Sequence, residues 1–166
     1  MNENDDGTIE GFEAFYARSL DPVFRAVLLA TRHCQQAEDA VHEAFGRALE
    51  QWDVVGRHPN PVAWTIRVAL NVHNSSWRIW RHEQPEPPEV AVRDELPIDP
   101  FLLRTVWRLP RRQRQVVALR VLADLSAEQT AAALGISEGA VGAHLHRALE
   151  KLRENLAATD YAEAQG

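Results

Sequence analysis

Proline is distributed very unevenly along this sequence, and its distribution divides the chain into two parts. Five of the nine prolines lie between residues 83 and 100, in the acidic stretch EQPEPPEVAVRDELPIDP. Because proline lacks a backbone N–H and disfavours helix in the residue before it, this stretch predicts an extended linker. We therefore predict two compact domains, at 9–82 and 101–156, joined by a Pro-rich linker at 83–100.

Outside the linker, the apolar residues recur with a helical period. Valine and isoleucine are not gathered into the alternating runs that strands require. The sequence thus predicts an all-α fold of two small helical domains. The predicted helices begin near Ile9 and at Asp21, where Pro22 would occupy the first turn, and then span about 37–52, 61–82, 101–109, 111–122, 127–134 and 138–156.

Composition excludes several classes of protein. The 166 residues include one cysteine, Cys34, so an internal disulfide is impossible and a reducing cytoplasm is the expected location. No apolar run approaches the roughly 18 residues that a membrane-spanning helix needs. His144 and His146 stand two apart on a helix and make a poor metal pair, and no Gly-rich phosphate loop is present. We expect no enzyme activity, no metal and no cofactor.

The net charge of −6 conceals alternating basic and acidic segments. Residues 57–82 contain four arginines and no acid, and residues 101–156 carry nine basic residues against five acidic ones. Affinity for DNA grows with the number of phosphates that are neutralised, so neither basic segment would bind tightly alone. The pattern favours a protein that meets DNA with the help of a partner.

The strongest local motif is a helix-turn-helix in the C-terminal part. Ser126 and Gln129 form a capping box before a short helix that contains Ala131 and Ala132, and Gly135 ends that helix. Ser137 caps the last helix, in which the predicted apolar stripe is Val141, Leu145, Leu149, Leu152 and Leu156. Ile136 and Val141 would be buried, so that the start of the last helix faces a major groove. An αα-hairpin that only packs is the alternative.

Two further helix faces are candidates for binding. After Pro61, the residues Trp64, Arg67, Asn71, Ser75 and Arg78 share one face, opposite a predicted core face that includes Ile66 and His73. Arginine and asparagine beside an aromatic ring suit an unpaired nucleic-acid strand, although a solvated face is the alternative.

The helix predicted at 37–52 has an acidic face opposite its apolar stripe. Asp39 and Glu43 stand four residues apart and repel each other, which Arg47 partly offsets. This face is either a solvated one or a docking surface for a basic partner.

In this order, the segments resemble the sigma-70 family of RNA polymerase subunits, specifically its compact extracytoplasmic-function (ECF) group. AEDAVHEAFGRALEQW at 37–52 is similar to the family's core-polymerase-binding segment. NPVAWTIRVALNVHNSSWR at 60–78 is similar to its −10 element segment, and 109–156 to its −35-binding domain. The resemblance implies a promoter-specificity subunit that binds core RNA polymerase, recognises both promoter elements and helps to melt DNA.

The resemblance also implies roles for individual residues. Core polymerase would be bound by Asp39, Glu43 and Arg47. The single-stranded −10 element would be bound by Val55, Arg57, Arg67, Asn71, Ser75 and Arg78, with Asn71 on a flipped base and 54–58 in the wall of its pocket. The duplex −35 element would be bound by Arg111, Arg112, Ser137, Glu138, Gly139, Gly142, Ala143, His146 and Arg147. Arg114 would meet phosphate or the polymerase. Trp64 is expected to be a packing anchor, and a place in the lining of the base pocket is the alternative.

One departure from the family pattern concerns the recognition helix. Family members often carry lysine or arginine just after the buried valine, whereas Gly142 and Ala143 follow Val141 here. We therefore expect a weak or sequence-tolerant −35 interaction. The family also implies an anti-sigma factor as a partner. Two alternatives stay open: a helix-turn-helix regulator that acts without polymerase, and an adaptor that binds polymerase without recognising promoters.

Overall fold

The computed structural model describes residues 3–80 and 98–164, and this part of the chain is helical with no strand. The all-α prediction is confirmed. The elements are α1 (Glu3–Thr31), α2 (Cys34–Glu50), α3 (Trp52–Val55), α4 (Pro61–Trp80), α5 (Pro100–Trp107), α6 (Arg111–Val117), a π-helical turn (Ala118–Leu122), α7 (Ala127–Leu134) and α8 (Glu138–Ala164). Of the predicted linker, residues 83–97 lie outside the described residues. We call 3–80 the N-terminal half and 98–164 the C-terminal half.

The first helix runs without interruption through Pro22, so the predicted new start at Asp21 is wrong. A proline inside a helix removes one hydrogen bond and crowds the preceding turn, which costs about 3 kcal/mol. Here the turns on both sides of Pro22 are buried, with Phe15 and Ser19 before it and Val23 after it almost inaccessible to solvent. Burial of those turns offsets the local cost, and the helix stays continuous.

The N-terminal half is built around α2 and α4, which pack on each other and on α1. The predicted apolar stripe of α2 is buried as expected, but Trp52 belongs to the separate helix α3. There the Trp52 ring stacks on Phe15 with ring centroids 5.0 Å apart and meets Phe12 edge-on at 5.4 Å. This aromatic cluster fixes the direction in which the chain leaves α2.

The C-terminal half begins with α5, whose N-cap Asp99 accepts a hydrogen bond from the backbone N–H of Leu102 at 3.0 Å. The helix predicted over 111–122 has the expected extent, but its last five residues form the π-helical turn, which the sequence pattern did not indicate.

The helix-turn-helix forms with its predicted caps. The capping box of Ser126 and Gln129 is present, and Gly135 has the left-handed φ of 65°. Val141 is buried and packs with Val116 and Ala131. Leu156, the last residue of the predicted apolar stripe, is 44% exposed, so the buried part of the stripe ends before it; of the two small residues in α7, Ala131 is buried and Ala132 is exposed.

The two halves pack against each other, an arrangement that the sequence did not predict. One hydrophobic cluster contains Leu28 and Val27 of α1 together with Val117 and Leu119 of the C-terminal half. Among the described residues, hydrogen bonds also join the halves; they link Asn60 with Gln129 (3.4 Å), Asn74 with Arg111 (2.9 Å), and Ala30 with Arg114 (3.1 Å).

Candidate functional surfaces

The acidic face of α2 is exposed, because its opposite face supplies the core. Asp39, Glu43 and Arg47 are all exposed, and the Arg47 Nε lies 2.9 Å from Glu43 Oε1. The pair is about half exposed on each side, so it contributes little to stability. The Asp39 Oδ1 accepts a hydrogen bond from Gln35 Nε2 at 3.1 Å, and the other Asp39 oxygen and the second Glu43 oxygen face solvent, where a basic partner could reach them.

A groove of about 430 Å³ runs along this face and is lined by Asp39, His42, Glu43, Gly46, Arg47 and Glu50. Gly46 lowers the helix propensity of α2. No atom lies within 4 Å of the position that a Cβ would take there, so the glycine leaves the middle of the groove open. Leu49, which is 46% exposed, adds an apolar contact on the same helix.

The predicted −10 face of α4 is also exposed. Arg67, Asn71 and Ser75 face solvent, and the side chain of Arg78 lies outside the described part. The Ser75 hydroxyl donates a hydrogen bond to the backbone carbonyl of Asn71 at 2.9 Å. This bond does not involve the side-chain amide of Asn71. Trp64 is half-buried. The opposite face is buried, as predicted for Ile66 and His73.

One prediction for the segment 54–58 is wrong. Val55 is 1% exposed, so its side chain belongs to the core and cannot reach DNA. The reason is that Val55 ends the short helix α3, in which successive side chains point in different directions, so Val54 is 66% exposed instead. Arg57 is exposed as predicted, and the His58 Nδ1 accepts a hydrogen bond from the backbone N–H of Asn60 at 3.0 Å.

The start of α8 presents the residues predicted for the −35 element. The exposed residues there are Ser137, Glu138, Gly139, Gly142, Ala143, His146 and Arg147. The Ser137 hydroxyl accepts from the Ala140 N–H at 3.1 Å, so it caps the helix. His146 Nε2 lies 3.3 Å from Glu150 Oε1 on the outer face of the helix. Among these seven residues of the start of α8, Arg147 is the one permanent cation and Glu138 the one acid, so their formal charges cancel.

The three arginines of α6 differ in their surroundings. Arg111 and Arg112 are exposed; Arg112 also donates to the Leu134 carbonyl at 3.2 Å, which ties α6 to the end of α7. Arg114 is only 7% exposed, so the expected contact with phosphate or polymerase is wrong in this arrangement. Burial, with Arg32 and Arg111 nearby, lowers the pKa of Arg114 to about 10.

Sequence reasoning missed the role of Asn74, which accepts a hydrogen bond from Arg111 Nη2, and that of His33 beside His73. No local pattern marks these residues, because their partners come from distant parts of the chain. Within the two described ranges, no group of three potential ligands could hold a metal ion, and no helix is long and apolar enough to cross a membrane.

The chain shows clear similarity to known proteins. A model of "Sigma-70, region 4" matches residues 102–152. The RNA polymerase sigma-E factor of Streptomyces coelicolor is 31% identical over 160 residues, which cover 93% of this chain and 90% of that protein. The chain belongs to the sigma-70 family. The ECF RNA polymerase sigma factor SigL of Mycobacterium tuberculosis is 31% identical over 154 residues, covering 86% of this chain and 87% of the relative, so this family member belongs with the ECF group.

The fold agrees with that assignment. The sigma factor RpoE of Bartonella quintana, solved in complex with the anti-sigma factor NepR, superimposes with a TM-score of 0.68. The match covers 88% of this chain and 96% of RpoE at 20% sequence identity, so it supports the fold of this sigma-70 member.

Proposed function

We propose that this sigma factor binds core RNA polymerase through α2, an unpaired −10 strand through α4, and the −35 duplex through the start of α8. The observation that carries the proposal is that all three predicted surfaces are exposed, while the opposite face of each helix is buried.

The charges of these surfaces differ, which supports a different partner for each. The α2 face is acidic and suits a basic partner, and α4 carries Arg67 without an acid in the whole segment 57–82. With a net charge of −6 the chain as a whole repels duplex DNA. Binding to core polymerase therefore precedes recognition of the promoter.

Asn71 would act on a base that has left the duplex. Unpairing and unstacking a base cost a few kcal/mol, which contacts to its edge and faces repay. The amide of asparagine offers both a donor and an acceptor to a base edge. Arg67 and Ser75, one helical turn away on either side, would contact the strand's phosphates.

Three broader expectations belong with this function. The protein acts in the cytoplasm, has no catalytic activity of its own, and is a candidate for inhibition by an anti-sigma factor, as the Bartonella quintana sigma factor is seen with NepR. A regulator acting without polymerase is disfavoured by the similarity to sigma factors along 93% of the chain.

The test is transcription in vitro with core polymerase on genomic promoter fragments, combined with two variants. Asn71→Ala should reduce promoter melting roughly tenfold, while binding to core polymerase is unchanged. Its matched control is Ser76→Ala, an exposed residue on the same helix. If Asn71→Ala instead weakens binding to polymerase, the residue is structural.

The complementary variant is Asp39→Lys with Glu43→Lys. It should lower the affinity for core polymerase by about tenfold or more, because it brings like charges together. Glu13→Lys, an exposed charge reversal on α1, is the control. Unchanged affinity in the double variant would make the acidic face of α2 a solvated one.

A further inference from the structure

Gly46 stands in the middle of the exposed acidic face of α2, where its own helix gains nothing from it. The backbone is helical at this position, and glycine is among the least favourable residues inside a helix. No atom lies within 4 Å of the position that a Cβ would take, so a larger side chain would meet no neighbour. Nothing among the described residues therefore requires a glycine here.

The missing side chain opens a gap between two carboxylates. Glu43 stands three positions before Gly46 and Glu50 four positions after it, so both lie one helical turn away on the same face. Because helical side chains lean toward the N-terminus, that of Glu50 is directed over the turn that contains Gly46. The groove of about 430 Å³ is far larger than the roughly 30 Å³ of a water molecule. We call the space over Gly46, between Glu43 and Glu50, the α2 gap.

The charge around the α2 gap restricts what can fill it. The groove is lined by three carboxylates, those of Asp39, Glu43 and Glu50, against the one guanidinium of Arg47, which leaves a formal charge of −2. Arg47 pairs with Glu43 at 2.9 Å, whereas Glu50 has no ion pair or hydrogen bond within the described residues. An apolar partner would bury these carboxylates without a counter-charge, which is strongly unfavourable. The occupant must therefore carry positive charge.

We propose that the α2 gap receives one long cationic side chain, a lysine or an arginine, of core RNA polymerase. Its methylene stem lies on the bare backbone of Gly46, and its charged end lies between Glu43 and Glu50. Lysine and arginine suit this geometry, since their stems bury against a surface while their charged ends stay with polar partners. The inference rests on the proposed function, in which α2 binds core polymerase, and it states what the acidic face recognises.

Gly46→Leu tests the proposal, because it fills the α2 gap without changing the charge of the chain. The affinity for core polymerase should fall about tenfold or more, since the displaced cation leaves the carboxylates of the interface unpaired. The matched control is Gly142→Leu on α8, where the glycine is equally helical, exposed and open. Leucine favours helix over glycine, so urea denaturation should find both variants at least as stable as the parent chain. Unchanged affinity in Gly46→Leu would overturn the proposal.

A double-mutant cycle separates a seat for a cation from mere space. Glu50→Gln alone should weaken binding to core polymerase about threefold to tenfold. Added to Gly46→Leu it should have little further effect, because both changes act on the same incoming side chain. The affinity of Gly46→Leu should also depend less on salt, although its charge is unaltered, because a contact between ions is lost. Additive effects with an unchanged salt dependence would show that a neutral group occupies the gap, and the proposal would be wrong.

The double charge reversal of Asp39 and Glu43 tells the two possible failures apart. If that variant weakens binding while Gly46→Leu does not, α2 binds core polymerase by another part of its face, and only the present inference is wrong. If neither variant changes the affinity, the acidic face of α2 is a solvated one, and the proposed role of α2 fails together with the seat at Gly46.

Discussion

At the scale of single residues, three glycines differ in what surrounds them. Gly46 and Gly142 are helical and exposed, and no atom lies within 4 Å of a Cβ placed on either. Gly56 is different, because its Cβ would lie 2.9 Å from the Trp52 carbonyl oxygen. The same substitution should therefore have opposite effects at these sites.

Gly142→Ala should raise the free energy of unfolding by about 0.5–1 kcal/mol, because alanine loses less backbone entropy in a helix. Gly56→Ala should lower it, since the added methyl group meets fixed backbone. Urea denaturation of the two variants measures both changes. If Gly142→Ala destabilises the chain, the glycine has a structural role that its open surroundings do not reveal.

The environment of a residue could be predicted where it depends on residues a few positions away in the sequence. The exposure of Arg67 and Asn71 follows from the helical period of α4 alone. Arg114 could not be predicted, because the carbonyl that it caps is 84 positions away. The burial of Val55 could not be predicted, because nothing in the local sequence indicates the single turn of helix over 52–55, which directs Val55 inward and Val54 outward.

At the scale of elements, the caps of the helix-turn-helix were predictable for the same reason. Ser126, Gln129, Gly135 and Ser137 act on backbone groups within a few positions of themselves, so residue type and spacing suffice. The path of α1 through Pro22 was not predictable, because the burial that offsets the proline comes from other helices. The π-helical turn at 118–122 likewise has no local signature.

The capping box supplies the prediction at this scale. Ser126→Ala removes the acceptor for the Gln129 N–H, now 3.0 Å away, and should lower the free energy of unfolding by about 1 kcal/mol. Ser76→Ala, at an exposed position of α4, should change the free energy of unfolding by less than about 0.5 kcal/mol. Thermal or urea denaturation compares the two. Equal effects would mean that tertiary packing alone positions α7.

At the scale of the whole molecule, the contact between the halves limits what this packed arrangement, here called the closed form, can bind. The hydrogen bond between Asn60 and Gln129 joins the two halves. Asn71 lies 11 residues after Asn60, and Gly142 lies 13 residues after Gln129. Using about 1.5 Å per helical and 3.6 Å per extended residue, Asn71 and Gly142 are at most about 55 Å apart. Elements at −10 and −35 are separated by roughly 25 base pairs, about 85 Å of duplex. The closed form cannot engage both.

A reversible cross-link between the halves should therefore block the sigma factor at one defined step. Cysteines at Pro59 and Glu128, the exposed neighbours of the Asn60–Gln129 pair, can be joined by a short reducible linker, while buried Cys34 reacts slowly. The cross-linked chain should retain the α2 surface but form no open complex on a promoter that needs both elements, and reduction should restore activity. A singly substituted chain treated in the same way is the control. Full activity while cross-linked would show that both elements are reached without separating α4 from α7, and the length argument would then fail.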